Sequence, residues 1–149
     1  SAEQQSKYAG YDQFINYFVP NIKNLLDKVN TGGISGRAMT TAQGLPGLQQ
    51  YLTQEQQDFL SILGDMNNTL LYLRSGKQIN EQEFNRLKAT LPNSNFTNSQ
   101  NKISVDRFSE TMKNIYDREL KISGLDIAGN TPLETEVGEL EDLFNEFNK

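Results

Sequence analysis

Apolar positions along residues 11–29 recur every three or four residues: Phe14, Ile15, Phe18, Val19, Ile22, Leu25, Leu26 and Val29. That spacing gathers them on one face of a helix. Pro20 falls inside the stripe. It has no N–H to give and its ring crowds the preceding turn, so the pattern predicts a helix that kinks or splits there. Thr31-Gly32-Gly33 stops it. Residues 31–47, TGGISGRAMTTAQGLPG, hold five of the 11 glycines and one of the 4 prolines. They read as a long Gly-rich loop with room for a short helical turn around residues 36–43.

The longest helical pattern covers residues 48–75, with Leu48, Leu52, Phe59, Ile62, Leu63, Met66, Leu70 and Leu73 on one face. Thr53 followed by Gln56 and Gln57 offers a capping start, and Ser75-Gly76 an end with Gly76 in the left-handed position. A short helix over 80–91 opens on Asn80 with Glu83 three residues on, buries Phe84, Leu87 and Leu91, and closes at Pro92. Ile79 precedes the cap as a hydrophobic staple. Residues 93–102 read as a polar loop. Ser104 then caps a helix to about Ile122, with Val105, Phe108, Met112, Ile115, Tyr116 and Leu120 inward. Past Gly124 and Gly129-Asn130-Thr131-Pro132, the last segment spaces Leu133, Val137, Leu140, Phe144 and Phe147 four, three, four and three apart among acids. No run alternates as a strand does.

The expected fold is therefore all-α. It has four main helices, the first Pro-interrupted, a long Gly-rich loop, and an amphipathic acidic C-terminal helix. Residues 1–122 form the helical domain, 123–132 a linker and 133–149 the tail helix.

Composition narrows the chemistry. The 149 residues suit one domain with a modest core. Without Cys or His the chain has no disulfide, no thiolate nucleophile, no Ser-His-Asp triad and no imidazole or thiolate zinc site. Mean hydropathy is -0.64, and no apolar run nears the roughly 18–20 residues of a membrane helix. The start, Ser1-Ala2-Glu3-Gln4-Gln5, lacks the features of a secretory signal peptide and an initiator Met. It reads as the start of a piece processed or excised from a longer chain. Amides are abundant, with 16 Asn and 12 Gln. They read as codon bias in an AT-rich genome, with clusters such as Asn93-Ser94-Asn95 as loops.

The net charge of -5 is uneven: residues 1–122 sum to +1 and residues 123–149 to -6. A neutral body lacks the basic footprint of tight nucleic-acid binding, so any such contact is weak at most. A stripe of Lys102, Arg107, Lys113, Arg118 and Lys121 would favour it, but Asp106, Glu110, Asp117 and Glu119 share that helix.

No motif carries catalysis. Arg74-Ser75-Gly76-Lys77-Gln78 lacks the upstream Gly and following Ser/Thr of a P-loop. The pairs Glu81/Glu83 and Asp117/Glu119, two residues apart, point to different helix faces and read as solvated surface. Asp126 to Asn130 lacks the ligand pattern of a calcium loop. The Asn-x-Thr triplets at Asn67 and Asn95 read as chance matches in an Asn-rich chain. Tyr11, Phe14, Tyr17 and Phe18 sit at core spacing rather than as a base-stacking platform. No cofactor, metal or small-molecule substrate is expected. The interaction candidates are Leu133, Val137, Leu140, Phe144 and Phe147. An isolated 15-residue helix is marginal in water, so this face docks on its own body, on a second copy, or on a partner.

One stretch bears a resemblance. Residues 75–92, SGKQINEQEFNRLKATLP, resemble a module of virion-associated proteins of tailed bacteriophages. In that module a long helix ends in a Gly turn. A short capped helix follows, with an Arg-Leu pair and a Leu-Pro ending, and then a polar loop leads to a Lys and a further helix. Lys102 and the 108–115 region match the last part, and Gly32 to Gly36 with Arg37 matches an upstream Gly-x-x-x-Gly-Arg stretch. The likeness covers about residues 32–122. It implies an architectural, non-enzymatic role as a structural, internal or DNA-ejection component, with other virion proteins or its own copies as partners. It also implies a place in the phage particle, or in host cytoplasm during assembly. The module has no catalytic residues to carry over. The alternative from a different class is a soluble adaptor whose acidic tail docks on a basic partner.

Overall fold

The first helical stretch of the chain runs unbroken past Pro20. In a computed structural model, which describes residues 2–124 together with Asn145 and Glu146, α1 (Ala2–Gln13) passes into a π turn (Phe14–Phe18) and then into α2 (Val19–Leu26). The spacing explains the π turn. Phe14, Phe18, Ile22 and Leu26 are all buried and lie four residues apart. Each step of four overshoots an ideal helix by about 40°, and one widened turn reduces that drift. The Val19 N–H reaches back to the Phe14 carbonyl. Pro20 directly follows this widened turn, in the first turn of α2, and the widening lets the helix pass a residue that has no N–H to give and whose ring needs room. Asn21 Nδ2 donates to the Tyr17 carbonyl at 2.7 Å.

The expected loop over 31–47 is corrected. Residues Gly33–Gly44 form a 12-residue helix, α3. A 3-10 turn (Gln49–Tyr51) leads to α4 (Gln54–Ser75), α5 (Glu81–Ala89) and α6 (Asn98–Ser123). Among the described residues there are thus five helices, counting α1, the π turn and α2 as one, and no strand. Both capping boxes form as read: Thr53 with Gln56, and Asn80 with Glu83. Helix α6 starts six residues before Ser104, behind Thr97. There the Gln100 N–H donates to Thr97 Oγ1, and the Thr97 N–H to Gln100 Oε1, at 3.1 and 2.9 Å.

The end of α4 departs from expectation by one residue. Gly76 has an ordinary φ of -78°, and Lys77 takes the left-handed position at φ 58°. The Gln78 N–H donates to the Leu73 carbonyl and the Lys77 N–H to Arg74, which is a Schellman cap with a lysine in the glycine seat.

Residues 1–113 form one compact unit. Its core includes Tyr11, Phe14, Phe18, Phe59, Met66, Leu70, Leu73 and Phe108, all essentially inaccessible. Phe14 centres it, 5.3 Å from the Phe18 ring and 5.2 Å from the Phe108 ring. α1 and α4 meet closely at Gly10, where a Cβ would stand 2.8 Å from Leu73 Cδ2. The second unit is residues 114–149, described for the last turns of α6, which bury Ile115 and Leu120, and for Asn145 and Glu146, which are helical and exposed. The linker and nearly all of the tail lie outside the described residues.

Candidate functional site

The feature that positions α3 is a cluster of neutral polar side chains between the α2–α3 connection and the α5–α6 loop. Asn98, in the first turn of α6, donates from Nδ2 to the Leu26 and Val29 carbonyls at 2.9 and 2.6 Å. The first is a carbonyl that the end of α2 leaves without a helical partner, and the second belongs to the connection beyond it. Its Oδ1 accepts from the Thr31 N–H at 2.9 Å and the Thr31 hydroxyl at 3.3 Å. One turn on, Asn101 is fully buried. It donates to Thr31 Oγ1 at 3.0 Å and to the Asn93 carbonyl at 2.9 Å, and accepts from the Asn93 N–H at 2.8 Å. Both amides thus use their donors and their acceptor, as burial of an amide requires.

The same loop closes onto α3. The Gly32 N–H donates to the Ser94 carbonyl at 2.8 Å. At Gly36 a Cβ would collide with that carbonyl oxygen, so glycine there permits backbone-on-backbone contact. Gly32, at φ 75°, sits under Phe96 and Thr97 in the same way. The Thr40 hydroxyl lies 3.1 Å from Ser94 Oγ and 3.0 Å from Asn95 Oδ1. The Gly-x-x-x-Gly spacing and the polar loop after Pro92, read separately in the sequence, are therefore the two halves of one clasp. Asn98 and Asn101 were missed. Their spacing in register with Val105, Phe108 and Met112 was the available signal.

Held by this clasp, α3 turns Gly36, Met39 and Ala42 inward. Its other side borders an open, largely apolar groove of about 410 Å³, lined by Ile34, Arg37, Ala38 and Thr41 from α3 and by Leu48, Tyr51 and Leu52 from the 3-10 region. Ile34 is 87% exposed and Tyr51 77%. Large side chains this open, on either side of an apolar groove, are free to make a contact.

The remaining sequence candidates separate. Leu133, Val137, Leu140, Phe144 and Phe147 lie outside the described residues. Glu83 is occupied by its cap, its Oε1 accepting from the Asn80 N–H at 3.0 Å. Glu81 pairs with Arg74 at 3.0 Å. Lys102 pairs with Asp27 at 3.1 Å, and Arg118 with Glu119 at 3.1 Å. The basic stripe is thus partly neutralised at both of these positions. Among the described residues no group of three or more His, Cys, Asp or Glu could hold a metal ion. No helix among them is long and apolar enough to cross a membrane. A comparison of the chain with family models, curated proteins and solved structures finds no match to any of the three.

Proposed function

We propose that this chain is a non-enzymatic helical assembly component of a bacteriophage virion, of the internal or DNA-ejection kind, working through contacts with other virion proteins or with its own copies. Its place is the phage particle, or host cytoplasm during assembly. The observation that carries the protein-contact reading is the groove between α3 and the 3-10 turn, where Tyr51 stands in solvent from the turn and Ile34 from a helix fixed from behind by a polar clasp. A rigid element that presents apolar side chains outward suits docking. The phage assignment is supported by the resemblance of residues 75–92 and 32–37. The residues that carry it are helix starts, helix stops and glycines at close backbone approaches, which are devices of architecture rather than of reaction chemistry.

Light scattering on the full chain over a range of concentration and salt tests the reading. A species heavier than one chain, growing with concentration, is expected. A monomer at every concentration and salt overturns self-assembly and favours the adaptor whose acidic tail docks on a basic partner.

A further inference from the structure

The outward face of α3 is a stripe with its own rhythm. Ile34, Ala38 and Thr41 follow at intervals of four and three, and all three are exposed. Two small side chains follow one large apolar one, so the stripe is a trough raised at its Ile34 end. Tyr51 walls one side of the groove, and the Arg37 guanidinium, which has no carboxylate partner among the described residues, lies along it. A four-three spacing is the geometry of a seam that receives a second helix with the same rhythm. The chain carries that counterpart: the stripe over 133–147 is spaced four, three, four and three. Its central members, Leu140 and Phe144, are large where Ala38 and Thr41 are small. The acids beside it, Glu139, Glu141 and Asp142 among them, supply the charge that Arg37 lacks.

We propose that the acidic segment 133–147 of one copy seats in the α3 groove of a second copy, giving a reciprocal two-chain assembly. This rests on the assembly reading above, and names its surface and its occupant. Exchange in both directions fills both grooves and closes as a two-fold pair, whereas one-way docking would leave an open chain.

The test uses two full-length variants and sedimentation or light scattering. Ala38→Glu places a carboxylate in the trough, at an exposed helical position. Leu140→Asp with Phe144→Asp removes the apolar knobs from the tail. Wild type is expected as a reversible two-chain species, and each variant should raise its dissociation constant by about tenfold or more. A mixture of the two should regain a two-chain species, because one retains the groove and the other the tail. Circular dichroism reports whether each is folded. Arg37→Glu serves as the groove variant if Ala38→Glu is not. A wild-type oligomer untouched by either variant overturns this inference and leaves the assembly reading standing. Loss of association in the groove variant alone, or failure of the mixture to re-associate, overturns it as well. A wild type that is monomeric throughout overturns this inference together with self-assembly.

Discussion

Lys77 holds a backbone conformation that suits glycine, one residue after a glycine that does not use it. A Cβ in the left-handed region costs about 1–2 kcal/mol. Lys77→Gly removes that strain, at the expense of a more flexible unfolded chain. It is expected to stabilise the protein by roughly 0.5–1 kcal/mol, measured as a rise in the chemical-denaturation midpoint. Gly36 is the opposite case. Gly36→Ala gains helix propensity worth about 1 kcal/mol. It also drives a methyl into the Ser94 carbonyl, a backbone atom that cannot swing aside. Overpacking of this kind costs typically 1–3 kcal/mol. The loss outweighs the gain, and a lower midpoint is expected. A midpoint that rises would mean that the loop is not held against α3.

At the scale of elements, helices whose ends are written in short local signals were readable. Thr53/Gln56 and Asn80/Glu83 sit next to apolar stripes, and both boxes form at those residues. Each cap should be worth about 1 kcal/mol. Thr53→Ala and Asn80→Ala are therefore expected to lower the thermal midpoint, and their effects should add because the two caps share no partner. The Pro20 interruption was readable as an event but not in kind. The proline removes one N–H and crowds the turn before it, which fixes where the helix must adjust but not how. The three steps of four between Phe14 and Leu26 favour a widened turn over a break. Helix α3, legible only as a short turn around residues 36–43 within a loop, and the first turns of α6 were obscured for a shared reason. Their buried faces are Gly36, Met39 and Ala42 in one and Asn98 and Asn101 in the other. Hydrophobic periodicity is silent where a helix buries small or amide side chains. The packing that makes those residues helical comes from distant parts of the chain. The groove beside α3 was hidden with the helix, and the tail stripe, readable in sequence, lies outside the described residues.

Over the whole molecule, charge contributes little to the fold of residues 1–113. The Lys23–Asp106 and Lys102–Asp27 pairs are 2.8 and 3.1 Å apart, with side chains about half or more exposed. Exposed pairs of this kind are worth about 0–1 kcal/mol each. Raising the salt to about 1 M, where the screening length falls to about 3 Å, is expected to leave the unfolding free energy nearly unchanged. A large loss on denaturation in high salt would show that ion pairs matter more than their exposure allows. The clasp behind α3 has a further consequence of the same origin. Thr31, Thr40, Asn93, Ser94, Asn98 and Asn101 bear amides and hydroxyls alone, and none of these gains or loses a proton between about pH 3 and pH 10. The latch has no proton-sensitive part. Between those limits protonation does not act on the latch's own side chains, and the surface in front of α3 is expected to keep one shape wherever the rest of the fold holds.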